Sequence, residues 1–358
     1  MNDVLQLGTA SARPGRKSWG QLHVREGRKK VSLPVCAVHG SKQGPHAVVV
    51  ANQHGQEVNG IESVRRFCEQ IDPNKLRGTL FAIPSMNPIA TMLQQQVWRE
   101  GDRDVTSRQT GDHYKNEYNM NWNWPGNKGS LLVQRVTHEV WHRAMVGPDR
   151  KASLVIDIHC HERQSSIYAY GIEAMKVALL TGLRYIHLQH RIVSGPPGLP
   201  RVCDKAGIAN VTVELATQRV FNRKSIHEGV RLIRNLLKYR GMLDGKLTLP
   251  PKVFVFDPWG VSRPKRSRGR TYVEICSRHN GIVVPHKISQ ERVRKGDLIC
   301  EVLDPHTAKV LQSVHAPKSG YLHMVLDYEP VVKKGQRLCL IALIAKIVNP
   351  AKEFRRSV

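Results

Sequence analysis

Acidic residues are scarce in this chain: 29 Asp and Glu stand against 55 Lys and Arg, a formal net charge of +26 over 358 residues. A surface of that sign draws polyanions and acidic partners in a salt-sensitive way, but it says little about fold. Basic residues gather between Arg13 and Lys30, in Arg263-Pro264-Lys265-Arg266-Ser267-Arg268-Gly269-Arg270, and at Arg355-Arg356. No zinc finger, aromatic RNA-binding signature or long basic helix accompanies them. The expectation is therefore a solvated basic surface with weak polyanion binding rather than specific nucleic-acid recognition.

Cysteine pairs are missing as well. Cys36, Cys68, Cys160, Cys203, Cys276, Cys300 and Cys339 are scattered without a Cys-x-x-Cys spacing. An odd, dispersed set suits neither a complete disulfide framework nor a cysteine-built zinc site, and a reducing cytoplasm is the simplest compartment. Long apolar runs are absent too. The most apolar stretch, Leu338 to Val348, is broken by Lys346 and is too short to span a bilayer, so it reads as a buried strand. Met1-Asn2-Asp3 lacks the basic start and apolar core of a secretory signal. No membrane partner is expected.

With 41% hydrophobic residues, the chain can bury a full core as one large or two unequal domains. Its first part alternates strand and helix signals. Ala47–Ala51 is a short β-branched run, Asn59–Gln70 carries Ile61, Val64 and Phe67 or Cys68 at helical spacing, and Thr79–Ile83 is strand-like again. Leu131–Met145 and Ile226–Leu236 read as helices, Ser153–Ile158 as a strand, and Pro196–Pro200 as a loop. This alternation predicts parallel βαβ units.

After about residue 250 the texture changes to short β-rich pieces without a convincing helix, separated by Asn280-Gly281, Lys295-Gly296-Asp297, Lys318-Ser319-Gly320 and Lys334-Gly335-Gln336. A small all-β barrel or sandwich is implied. Val293–Leu298 and Val332–Leu338 echo each other, which suggests two related hairpin units. The expected division is an α/β domain over 1–250, a basic linker over 251–270, a β-barrel over 271–348 and a basic tail over 349–358.

Three apolar runs end in chemistry-bearing residues. Val48–Ala51 leads into His54-Gly55-Gln56-Glu57, Leu154–Ile158 into His159, and Val211–Val213 into Glu214. In an open, mostly parallel sheet the strand carboxyl ends share one edge, so residues distant in sequence meet there. Two His and one Glu can hold a catalytic zinc and leave its fourth position for water. His-x-x-Glu alone is weak, and it recurs at His159-Cys160-His161-Glu162, which makes His161 and Glu162 competing ligands. Gly55 relieves steric crowding between His54 and Glu57. Asp157 either orients a ligand or caps the turn. Glu214, in a segment that reads as buried core, is either a catalytic carboxylate or a strand-end partner of an arginine.

Further motifs follow in a fixed order: Gly8–Gly15, His54–Gly60, Arg77-Gly78-Thr79, Pro84-Ser85-Met86-Asn87-Pro88, Pro125-Gly126, Asp157-Ile158-His159 and Thr212-Val213-Glu214. Jointly they resemble the succinylglutamate desuccinylase/aspartoacylase family of zinc carboxypeptidase-like amidohydrolases. The carboxy-terminal part, with Ala316-Pro317-Lys318-Ser319-Gly320, resembles a biotinyl/lipoyl carrier barrel without an acceptor turn. The resemblance implies an α/β fold with a mixed, mostly parallel sheet flanked by helices. It also implies one zinc ion per chain on His54, Glu57 and His159, with Glu214 as general base.

One departure concerns the substrate. The family carries Asp-Leu/Met-Asn-Arg before Phe-Pro-Gly, and this chain has Asn119-Met120-Asn121-Trp122-Asn123-Trp124-Pro125-Gly126. Asn121 is retained, while Trp122 stands in the arginine's place and cannot make a charged two-pronged contact with carboxylate. A further family arginine falls in an interval that holds Arg99, Arg103 and Arg108; Arg103 or Arg108 could reach the site as a substrate contact, against a surface role that is the more common one for each. Trp98, Trp122 and Trp124 could form an aromatic wall, although core packing is the favoured role for at least Trp124. The expected substrate is a small N-acyl, amino-acid-like metabolite. A peptide hydrolase and a non-catalytic metal- or polyanion-binding protein are the alternatives. A homo-oligomer is the expected assembly, and the sequence does not determine it.

Overall fold

The computed structural model describes residues 4–97, 118–161, 164–170, 172–189, 198–257, 271–326, 330–343 and 345–357. Trp98, Arg99, Arg103, Arg108, Glu162, the 258–270 basic stretch and residues 196 and 197 lie outside the described residues; of the expected 196–200 loop, Leu199 and Pro200 instead open the helix Leu199–Lys205. Two compact units emerge. One comprises 1–161, 180–182 and 192–249, and the other comprises 162–179, 183–191 and 250–358.

In the first unit the β-branched runs form the expected parallel strands. Ala209–Leu215, Leu154–Cys160, Lys42–Ala51 and Arg77–Ile83 are parallel neighbours in that order. Lys29–His39 and Arg16–Glu26 extend the sheet antiparallel. Leu154–Cys160 is buried along its whole length, as a strand covered on both faces must be. Helices Val58–Gln70 and Arg223–Tyr239 meet closely. A Cβ on Gly229 would lie 2.4 Å from Ser63 Oγ, so glycine sets their separation. The predicted 131–145 helix ends its α-turns at Val140 and finishes in a π-turn over Trp141–Met145.

His46 lies on the Lys42–Ala51 strand, 5% exposed. Its Nδ1 is 2.8 Å from the Thr79 hydroxyl and its Nε2 2.8 Å from the Ala144 carbonyl. Nε2–H must donate to that carbonyl, which leaves Nδ1 to accept from the hydroxyl. Burial lowers its pKa to about 4, helped by Arg150 and opposed by the backbone carbonyls of Ala144 and Thr79. The unfolded chain binds this proton near the usual ~6.5, above the folded value, so stability is complete above about 6.5 and is lost as pH falls toward about 4. The loss amounts to roughly 3 kcal/mol. Urea unfolding across that window should show the slope, and His46→Gln should reduce it by one proton's worth. An unchanged slope would remove His46 from the account.

The second unit contains two four-stranded antiparallel sheets around one apolar cluster that includes Val283, Ile299, Val302, Leu322, Leu338 and Ile341. The sequence echo is structural. Gly296 and Gly335 both adopt positive φ at the turn, and each turn places an acceptor side chain on the backbone N–H three residues back, Asp297 on Arg294 and Gln336 on Lys333. Gly296 N–H reaches the Ala316 carbonyl and Gly335 N–H reaches that of Ser277. Two expectations need correction. The apolar 338–348 run forms two strands, Arg337–Ala342 and Ala345–Val348, and the second pairs with Val253–Phe256 rather than with the small sheets. The tail forms a helix, Pro350–Ser357, which the charge of the segment had masked.

Candidate metal centre

The Lys42–Ala51 strand stops because Asn52 turns into the left-handed region at φ 61°, a conformation asparagine tolerates better than most residues. Its side chain then ties the turn together. Nδ2 donates to the His54 carbonyl, and Oδ1 accepts from Ser85 and Thr91 hydroxyls. Its backbone N–H donates to the Ile158 carbonyl of the neighbouring strand. The chain thereby delivers His54 and, one turn later, Glu57 just ahead of helix Val58–Gln70.

Gly55 is required for a different reason from the one its sequence context suggests. A Cβ there would lie 2.2 Å from Ala90 C and 2.4 Å from Thr91 N, so the crowding comes from the backbone of helix Pro88–Met92, not from His54 and Glu57. Backbone cannot swing aside as a side chain can. Gly55→Ala should destabilise the fold by about 1–3 kcal/mol and weaken metal binding by displacing His54. Thermal unfolding and chelator competition check both, and a neutral outcome would show that the two segments separate freely.

His54, Glu57 and His159 converge, 7%, 2% and 1% exposed, with one donor atom of each within 4.8 Å of the others. His54 Nδ1 is 2.8 Å from Glu57 Oε1, and His159 Nδ1 is 2.9 Å from Glu57 Oε2. The opposite ring nitrogens also face oxygens: His54 Nε2 is 3.1 Å from Asn119 Oδ1, and His159 Nε2 is 3.1 Å from Asp157 Oδ2. Asn119 Oδ1 accepts from the Asn121 backbone N–H, which fixes which end of that amide meets His54.

This pattern tests whether a metal fits. Both Nε2 atoms carry hydrogen, because the nearest partner of each is an acceptor at 3.1 Å; the Gln53 amide nitrogen is farther from His159 Nε2, at 3.5 Å, and donates to the Asp157 carboxylate instead. A neutral imidazole then turns a bare Nδ1 lone pair onto a Glu57 oxygen. Four mutually facing acceptor atoms are tolerable only with positive charge among them, supplied by protons on both rings or by a cation. Two imidazole nitrogens and a carboxylate are a zinc donor set, so the residues fit the ion.

The electrostatics agree. Burial alone would push the Glu57 carboxyl up, but the His54 and His159 rings outweigh it and hold it well below the usual carboxylate range. Burial likewise opposes charge on His159, and Asp157 and Glu57 together raise it well above an ordinary histidine. His161 stands outside this three-residue group among the described residues; its N–H continues the ladder to the Leu215 carbonyl.

Several supporting residues were not evident in the sequence. Gln53 Nε2 donates to both Asp157 oxygens at 2.8 and 2.9 Å, and its Oε1 accepts from the Trp124 indole at 2.8 Å. Trp124 is thus a core residue that buttresses His159 through Gln53 and Asp157. Asn59 Nδ2 reaches the carbonyls of Ala216, Thr217 and Val220 and holds the loop beyond Glu214. Amides read as neutral filler in a sequence, and only their partners reveal the role. Glu214 is half-buried, more open than its apolar neighbours implied, and lies in register with His159 on the adjacent strand. Asn121 and Trp122 sit in the 3₁₀ turn Met120–Trp122 that follows Asn119.

The catalytic-domain profile of the succinylglutamate desuccinylase/aspartoacylase family matches residues 43–240, a stretch that holds every side chain of this centre. Over 330 residues the chain is 21% identical to the N-alpha-acetyl-L-2,4-diaminobutyric acid deacetylase of Halomonas elongata, covering 89% of this chain and 87% of that one. The product-bound ectoine utilization protein EutE (DoeB) of Ruegeria pomeroyi superposes with a TM-score of 0.72 at 16% identity, covering 95% of this chain and 100% of its own. A succinylglutamate desuccinylase from Silicibacter gives 0.72 at 19%, covering 95% and 99%. These structures share the mixed α/β fold. With the profile spanning more than half of the sequence, the chain belongs to the succinylglutamate desuccinylase/aspartoacylase family.

Proposed function

We propose that this chain is a zinc-dependent N-deacylase acting on a small, amino-acid-like metabolite. The observation that carries the reading is the pair of buried imidazoles, each with its N–H directed outward onto Asn119 or Asp157 and its Nδ1 directed onto Glu57. Zinc held by His54, Glu57 and His159 would act as a Lewis acid on the amide carbonyl and on water. The relative from Halomonas elongata, a deacetylase by name, supports the same chemistry.

Glu214 sits on the strand beside His159, about 4.8 Å away between backbones. Its carboxylate takes a proton from the water whose oxygen attacks the amide carbon. It returns that proton to the departing nitrogen as the C–N bond breaks, leaving a carboxylate and an amine. Asp157 and Asn119 hold the rings in the tautomer that presents Nδ1. Asn121 and Trp122 face the substrate in this reading, and Arg103 or Arg108 contributes a further contact.

Zinc-loaded protein incubated with a panel of N-acyl amino acids should release free amine, and parallel short peptides should be poor substrates. His54→Ala should abolish the release. Unchanged turnover in both His54→Ala and Glu214→Gln would refute the assignment.

A further inference from the structure

Two tryptophans lie two residues apart in the Asn119–Trp124 segment, and their indole N–H groups differ. Trp124 Nε1 donates to Gln53 Oε1 at 2.8 Å. Trp122 Nε1 is just as enclosed, yet it has no hydrogen-bond partner among the described residues. An enclosed donor without an acceptor costs roughly five- to 150-fold in equilibrium terms, about 1–3 kcal/mol. A natural core avoids such groups unless something else meets them.

The place of this donor is informative. Trp122 closes the 3₁₀ turn through its backbone N–H onto the Asn119 carbonyl at 3.0 Å, and Asn119 is the residue whose amide meets His54. Residues three apart in such a turn lie one above the other, about 6 Å along the axis. The backbone of Trp122 therefore stands within a small compound's length of the residue that meets His54.

We infer that the Trp122 indole N–H is the recognition donor for a single uncharged oxygen of the substrate. The preferred substrates are then N-acyl compounds that present a carboxamide, ester or hydroxyl oxygen there rather than a carboxylate. This deepens the deacylase reading and rests on it. An indole supplies one hydrogen and no charge. The carboxylates of Glu57, Asp157 and Glu214 also outnumber the two charges of a zinc ion. A further anion beside them needs a cation such as Arg103 or Arg108 to offset that surplus, and a neutral acceptor does not.

The test uses N-acetyl amino acids, each paired with its carboxamide twin, on zinc-loaded full-length protein labelled with [15N]tryptophan. The chain has six tryptophans, and the indole resonance lost in Trp122→Phe identifies the one of interest. The carboxamide twin should move that resonance downfield and should have the higher kcat/KM. Trp122→Phe should lower kcat/KM for the carboxamide by roughly five- to 150-fold at unchanged zinc content, and Trp122→Arg should shift preference to the carboxylate. Turnover that is indifferent to Trp122→Phe, or a preference for the carboxylate in the unsubstituted protein, overturns the inference and leaves the deacylase reading standing. A downfield shift without hydrolysis of any pair does the reverse. Neither shift nor hydrolysis overturns both.

Discussion

Replacing Glu214 with glutamine should lower kcat by about 10²- to 10⁴-fold, the range a positioned general base contributes, while zinc content and substrate affinity stay close to those of the unsubstituted protein. The amide keeps the size of the carboxylate but cannot accept the water proton at neutral pH. Glu214 lies in the parallel ladder between Val213 and Leu215, both buried, so the substitution has little effect on the sheet. It also lies outside the three-residue metal group, so metal binding should not fall with activity. Single-turnover rates measured beside metal content separate the two effects. A loss below tenfold, or a parallel loss of zinc, would exclude Glu214 as the base.

Glu57→Gln should produce the largest loss of metal. Changing a residue that only orients a ligand typically costs 10- to 100-fold in metal affinity. Glu57 would bind directly and also supplies the negative charge that both imidazoles face, so the expected loss exceeds about 100-fold. Asn119→Ala, which removes the acceptor from His54 Nε2, should stay within the 10- to 100-fold range. Chelator competition ranks the two variants, and equal losses would contradict the separation of ligand from support. The fold itself should survive Glu57→Gln. The turn is tied by Asn52 to Ser85, Thr91 and the adjacent strand, all of which act without a metal.

The parallel strands were legible because their β-branched runs are short, fully apolar and bounded by polar turns, a pattern with one physical explanation when helices cover both faces. His54, Glu57 and His159 were legible for a related reason: their sequence positions follow from strand ends, and strand ends share an edge. Other features were not. Leu338–Val348 looked like one strand because its composition is uniform, yet at residue 343 the chain leaves one sheet for another. The role of Gly55 depends on a helix more than thirty residues away, and no local pattern reports a backbone that approaches from elsewhere. Gln53, Asn59 and Asn119 escaped notice because an amide has no charge or periodicity to mark it, although each is buried.

The left-handed asparagine at the end of the Lys42–Ala51 strand has one more consequence. Through Asn52, the ligand-bearing turn hangs from the sheet and from the 85–91 segment. Asn119, which opens the Met120–Trp122 turn, meets the ligand set at His54, and Trp124 beyond the turn reaches Gln53. In the proposed reading, the turn that holds the metal and the residues that face the substrate therefore rest on separate segments, joined at Asn119 and at Trp124. On that reading Asn121 and Trp122 could be exchanged to suit another substrate, while Asn119, the core residue Met120 and Asn123, which is tied to Asn119 and Thr137, stay.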